Sequence, residues 1–359
     1  MVFCHHYALY TPPLVGWLLC LMFREMYSGV TVFFVLSGFL IYFRHSRDES
    51  LRKVSLIRYG FHRFSRIYPM YFLVVIATAI CTWVHMPAAR HVGHMLFSLF
   101  LQLSFLKGYS DTWKFVGVGQ GWSLTPEVTF YALFPLMLPL IRRFGFLLVL
   151  LAVYLTGIGL YGLGCLLHTG GIFQPLSFMV TYTFFGRAGD FFAGMILARY
   201  VLSLPAERFD VRRGLPLWTL IGSAGLLIYL MGMGLLERPG VYSADGMPGA
   251  ALNLFLLPPI ICALLFGIIT EHSLIAKALG SPLLVAMGAS SYCFYLIHVG
   301  GAHGYLSINA AVETLHREFG YIIIALIAYL CWRFIEEPMR RLILTHPWFR
   351  SAHPAAAAV

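Results

Sequence analysis

Gly29-Val30-Thr31-Val32-Phe33-Phe34-Val35-Leu36-Ser37-Gly38-Phe39-Leu40-Ile41-Tyr42 is an uncharged run, interrupted only by the small residues Gly29, Thr31, Ser37 and Gly38. Arg44, Arg47, Arg52, Lys53, Arg58, Arg63 and Arg66 follow directly. An apolar run that ends in a basic cluster reads as a membrane helix whose C-terminal end faces the cytoplasm. Ser37-Gly38 within it either forms a packing notch for a neighbouring helix or offers a hydroxyl to a buried polar site.

The rest of the chain has the same character. Of its 359 residues, 59% are hydrophobic and only 11% charged, and the mean hydropathy is +0.78. Those values lie far outside the soluble range and predict an all-α, polytopic membrane helix bundle. The net charge of +10 sits in short loops between apolar runs, so it signals topology and not nucleic-acid binding. The seven cysteines show no metal-ligand spacing, and neither a disulfide framework nor a metal site is expected. The first twenty residues lack the basic and apolar regions of a cleavable signal.

Runs of helical length lie near 28–43, 67–85, 122–141, 144–167, 179–199, 215–236, 249–269, 283–301 and 320–335. The run 91–107 contains His91, His94, Gln102 and Ser104. Reading it as re-entrant or interfacial keeps Arg142-Arg143, the basic segment 199–213, Lys277 and the Arg340-Arg341 tail on the inner face. Nine spans result, and a tenth if a helix precedes His5. The reading expects that first helix to be truncated. It also expects one membrane-embedded domain over 1–341, with a short cytoplasmic tail over 342–359.

Polar groups at membrane depth are functional candidates. His5 and His6 end whatever helix precedes them, as a general base toward a hydroxyl or as an interfacial pair. Arg63 and Arg66, spaced i, i+3 before Ile67-Tyr68-Pro69, suit a polyphosphate ligand or anionic lipid headgroups. In Trp122-Ser123-Leu124-Thr125-Pro126-Glu127, Thr125 is expected to cap a helix that begins at Pro126. Glu127 then lies in the first turn with Tyr131 one turn on, and with Trp122 it forms the kind of aromatic-lined carboxylate that glycan sites use. Arg187 and Asp190 are expected to pair structurally. His298 reads as a packed imidazole, and Glu336-Glu337-Pro338 with Arg340-Arg341 as a topology anchor.

Taken together, Phe33 to Leu40, Arg63-Phe64-Ser65-Arg66-Ile67-Tyr68-Pro69, Trp122-Ser123-Leu124 with Glu127 and Phe130-Tyr131, Ser291-Tyr292 through His298, and Phe334 to Pro338 resemble, in order, the motifs of the acyltransferase 3 family of integral-membrane O-acyltransferases. The resemblance implies about ten spans in a plasma (inner) membrane, the C-terminus cytoplasmic. It also implies transfer of an acyl group, usually acetyl, from acyl-CoA to a hydroxyl of a cell-surface glycan or glycosylated molecule. No bound cofactor is implied; acyl-CoA is the co-substrate, and the remaining partners are the glycan or lipid-linked glycan acceptor and membrane lipids. His5, with His6 as alternative, matches the family's catalytic histidine, and Arg63 and Arg66 match its donor-side arginine pair. Glu127 is carried over alone from a position where the family often has two adjacent acidic residues. Ser37, Trp122, Ser123, Tyr131 and His298 are supporting candidates, with Ser37 or Tyr131 as donor to an oxyanion. The competing class, a transporter or flippase of lipid-linked glycans, commonly shows repeated halves, and no such repeat is visible.

Overall fold

The structure is a computed structural model, and it describes residues 22–46, 56–85, 91–205, 215–236, 243, 246–298 and 317–345. His5 and His6 lie outside the described residues. Every element among these is helical, and a single isolated bridge pairs Ser110 with Ile172. The all-α expectation holds. Among the described residues, five helices are long and apolar enough to cross a membrane: Met22–His45, Leu56–His85, Gly119–Leu166, Leu217–Leu236 and Met247–Thr270.

Several expected spans are divided. Within Leu124–Leu166 the helix breaks at Gly145, whose φ of 83° is left-handed backbone that glycine adopts without a Cβ penalty. The expected runs 122–141 and 144–167 are the two limbs of that one element. The run 179–199 is divided at Thr183, between helices Leu176–Tyr182 and Phe184–Ser203. The run 283–301 is divided at Ser290, between Pro282–Ala289 and Ser291–Ile297. The helix within 91–107, Val92–Leu103, has 12 residues. At about 1.5 Å per residue it reaches roughly 18 Å, short of the ~30 Å core.

The described residues fall into two compact units, interleaved along the chain. One draws on Met1–Asp48, Tyr109–Asp111 and Leu136–Ser281. In it, Gly29–His45 lies against Phe184–Ser203 at backbone contact. A Cβ on Gly38 would sit 2.0 Å from the Phe191 carbonyl oxygen, and one on Gly194 would sit 1.9 Å from that of Val35. Small residues at such crossings let helix backbones approach where lipid supplies no hydrophobic drive. The Phe34 and Phe191 rings stack at 4.8 Å beside them. Val35, Tyr229, Leu230, Met233, Leu257 and Ile261 form the buried core of this unit.

Leu217–Leu236 begins under a carboxylate from elsewhere in the same unit. Glu271 accepts hydrogen bonds from the backbone N–H of Trp218 at 2.8 Å and of Thr219 at 2.9 Å, and from the Thr219 hydroxyl at 2.9 Å. Desolvation pushes the Glu271 pKa up, but these donors outweigh it and hold the carboxyl below its ordinary value. An acidic side chain there satisfies orphan N–H groups and meets the positive end of the helix dipole.

The other unit draws on Glu49–Gly108, Thr112–Pro135 and Pro282–Val359. The Tyr71 ring stacks on Phe105 at 4.9 Å, and its hydroxyl donates to the Gln102 carbonyl. Gln102 Oε1 accepts from the Val118 N–H at 3.0 Å. The buried Lys107 ammonium donates to the carbonyls of Val116 at 3.0 Å and of Val118. The segment leading into Trp122-Ser123-Leu124 is thereby tied back onto 102–107. Burial pushes the Lys107 pKa down to about 7.

Candidate active site

In the second unit the sequence candidates converge. Arg63 and Arg66 lie on Leu56–His85, and Glu127 and Tyr131 lie one turn apart at the start of Leu124–Leu166. The Tyr131 hydroxyl donates to Glu127 Oε1 at 2.5 Å. Arg63 spreads its guanidinium over the rings of Tyr131, at 5.6 Å, and Tyr59, at 5.9 Å. Arg66 is within electrostatic reach of Tyr131 and is exposed. Arg63 Nε is buried and has no hydrogen-bond partner among the described residues. Two guanidiniums, one held by aromatic faces and one open, stand beside a carboxylate–phenol pair.

The helix carrying Glu127 starts otherwise than expected. A 3-10 turn, Gly119–Ser123, runs directly into Leu124, and Thr125 already lies inside the helix. Its hydroxyl donates to the Phe105 carbonyl at 2.6 Å, a tertiary tie and not a cap. The preceding turn has helical dihedrals at Leu124, which removes the need for a capping side chain. Glu127 and Tyr131 keep their common face.

Ser123 and Trp122 also fall in this unit. Ser123 Oγ and Tyr295 Oη are 2.6 Å apart, Tyr295 donates to the Gln120 carbonyl at 2.9 Å, and Gln120 Nε2 donates to the Leu296 carbonyl at 2.5 Å. These bonds fasten the Trp122 turn to Ser291–Ile297. His298 is buried at the end of that helix, its Nδ1 2.8 Å from the Tyr295 carbonyl and its ring stacked with Phe294 at 5.8 Å. Ser37 belongs to the first unit, half-buried beside Gly38.

Glu336, expected to share the topology anchor with Glu337, is instead turned inward. Glu337 bridges Arg340 at 2.9 Å and Arg341 at 2.8 Å, as an interfacial anchor should. Glu336, one position earlier on the π-helical turn Trp332–Glu336, is buried, accepts from the Cys293 thiol at 2.9 Å, and is within electrostatic reach of Arg66. Adjacent residues on a helix diverge by about 100°, so one of two neighbouring glutamates can face lipid headgroups while the other faces protein. Tyr292, whose hydroxyl donates to the Ile67 carbonyl at 2.8 Å, closes the same neighbourhood.

The arrangement can hold a polyanion on paired guanidiniums and orient a hydroxyl on a carboxylate. A family model described as an acyltransferase domain matches residues 1–345. The chain is similar to a predicted O-acetyltransferase of Staphylococcus aureus (strain COL), 22% identical over 339 residues, covering 88% of this chain and 53% of that protein. The counterparts in strains MSSA476 and MRSA252 match equally. The chain thus spans about half the length of these curated relatives. It is also similar to the exopolysaccharide production protein ExoZ of Rhizobium meliloti (strain 1021), 26% identical over 333 residues, covering 88% of this chain and 89% of that protein. No solved structure matches. With its ordered motifs, apolar helices and a family match that runs through nearly the whole chain, this integral membrane protein belongs to the acyltransferase 3 family.

Proposed function

We propose that the protein is an O-acyltransferase of nine to ten spans in a plasma (inner) membrane, its C-terminus cytoplasmic. It moves an acetyl group from acetyl-CoA to a hydroxyl of a cell-surface glycan or glycosylated molecule. The observation that carries this reading is the joining of Arg63, Arg66, Tyr131 and Glu127 in one unit. Paired guanidiniums match the phosphates of coenzyme A, with Arg63 held in place by its two ring contacts. The names of the S. aureus relatives support acetyl as the group moved, and that of ExoZ supports a polysaccharide acceptor.

In the reaction the acceptor oxygen attacks the thioester carbonyl, and the carbon–sulfur bond breaks. A base removes the hydroxyl proton, which ends on the departing thiolate to give free coenzyme A. The family resemblance assigns that base to His5. Glu127, already bonded to the Tyr131 hydroxyl, orients the acceptor or the base.

The test uses the full-length protein in lipid nanodiscs with radiolabelled acetyl-CoA and glycan extracted from the source cell. Wild type transfers label to the glycan, and Arg63→Ala raises the KM for acetyl-CoA about ten-fold, the loss expected for a hydrogen bond to a charged group. His5→Ala abolishes transfer at unchanged membrane abundance. Glycan movement across the bilayer with no label incorporated would establish the transporter reading in its place.

A further inference from the structure

Three helix ends of the first unit meet around the break at Gly145, and three arginines stand there. Arg142 and Arg143 close the limb before the break. The Arg142 guanidinium donates to the Ser46 carbonyl at 2.8 Å, which draws in the end of Gly29–His45. The Phe146 ring, first after the break, packs at 5.6 Å on Tyr42 of that helix and at 6.4 Å on Phe192 of Phe184–Ser203. Arg199, further along Phe184–Ser203, lays its guanidinium over the same Phe146 ring at 5.6 Å. Arg143 lies over Phe144 at 5.0 Å.

All three arginines are exposed. Among the described residues no carboxylate pairs with any of them, whereas Arg340 and Arg341 share Glu337. A topology signal needs only positive charge near a helix end, with no fixed geometry. Here each side chain is held, one by a backbone carbonyl and two by ring faces. A guanidinium has five N–H donors, so these contacts leave most of them open. The open donors and the uncompensated charge call for an anion whose oxygens accept in pairs, as phosphate does.

The surroundings narrow the anion. Phe43, Phe144, Leu147 and Tyr200, neighbours of these residues in the chain, are exposed. A soluble phosphate would use the guanidiniums alone, while an amphiphile uses both kinds of surface. Basic pockets between membrane helices hold acidic lipid head groups on these terms.

We propose that Arg142, Arg143 and Arg199 form a headgroup site for the phosphate of an anionic phospholipid, whose acyl chains lie along the exposed apolar side chains beside them. The site uses none of the residues assigned to acyl transfer and does not rest on that reading.

The experiment places the full-length protein in nanodiscs of phosphatidylcholine and phosphatidylglycerol in equal parts. Native mass spectrometry then counts the lipids that stay bound. Wild type retains phosphatidylglycerol in preference to phosphatidylcholine. Arg142→Gln and Arg199→Gln each lower that retention about five-fold, the equivalent of ~1 kcal/mol per arginine at a membrane surface. Arg199→Lys, which keeps the charge, retains most of it. Lys277→Gln, which removes a charge of the same sign from Leu274–Leu279, leaves it unchanged. Equal retention of the two lipids by wild type overturns the proposal, even where an arginine variant does not fold. A loss in Lys277→Gln as large as in the arginine variants overturns it as well, because net charge alone would then decide. Displacement of phosphatidylglycerol from wild type by inorganic phosphate or by acetyl-CoA also overturns it and reassigns the patch to a soluble phosphate ligand.

Discussion

At Arg187 and Asp190 the chain places opposite charges where water cannot reach, and each is tolerable only because of the other. Removing one leaves a bare buried charge, which costs about 3–5 kcal/mol. Arg187→Ala and Asp190→Ala are each expected to lower stability by that order, read as loss of monodisperse protein on heating in nanodiscs. The double replacement Arg187→Met with Asp190→Leu is expected to lose much less, since no unpaired charge remains. Similar losses in single and double variants would mean that packing, and not charge pairing, makes the site sensitive. Glu337 is the counter-example: its partners Arg340 and Arg341 are well exposed, and such pairs contribute at most about 1 kcal/mol.

Two helical elements owe their positions to contacts that sequence periodicity does not reveal. Gly194 brings the backbones of Phe184–Ser203 and Gly29–His45 together, because a Cβ there would overlap the Val35 carbonyl and the Phe39 N–H. Gly194→Leu is expected to force the helices apart and abolish a stable fold. Gly232→Leu, where a Cβ meets nothing within 4 Å, is expected to be tolerated, with both read by yield on size-exclusion chromatography. Lys107 fixes the segment ahead of Trp122 through two backbone carbonyls while paying the desolvation of an amine. Its folded pKa, about 7, lies below the ordinary lysine value of 10.5. Between those values the unfolded chain binds more protons, so stability rises with pH from about 7 upward, and the full penalty of burying the charge is present below 7. The apparent melting temperature of wild type is therefore expected to rise between pH 7 and 9 relative to Lys107→Met. Parallel profiles for the two proteins would show that Lys107 is not the titrating group.

For the chain as a whole the decisive property is orientation. Arg44, Arg142, Arg143, Arg199, Lys277, Arg340 and Arg341 lie at helix ends or between apolar runs. Arg142 also donates to the Ser46 carbonyl at 2.8 Å, which ties the turn at Gly145 to the end of Gly29–His45. A cytoplasmic position for these ends predicts that a fluorescent protein fused after Thr345 folds and emits, while alkaline phosphatase fused at the same point is inactive. The opposite pattern would invert the topology and place Arg63 and Arg66 away from the cytoplasmic pool of acyl-CoA.

Local spacing along one helix is legible without coordinates. Residues three or four apart share a face, which is why the Arg187–Asp190 pair and the Glu127–Tyr131 alignment follow from the sequence alone and reappear at 2.8 and 2.5 Å. The apolar runs likewise specify a helical membrane protein, because a backbone in lipid must satisfy its own hydrogen bonds. Which face meets which other helix is a different matter. Nothing in Glu336-Glu337 says that the first turns toward Cys293, 43 residues away. The tie of Thr125 to Phe105, the grip of Lys107 on Val116 and Val118, and the meeting of Thr31 with Asn253 across 222 residues join groups that chain spacing leaves unrelated. Helical periodicity fixes partners within a turn or two; partners between helices are chosen by backbone approach at Gly38 and Gly194 and by the need to satisfy every buried polar atom, and those are decided only when the helices pack.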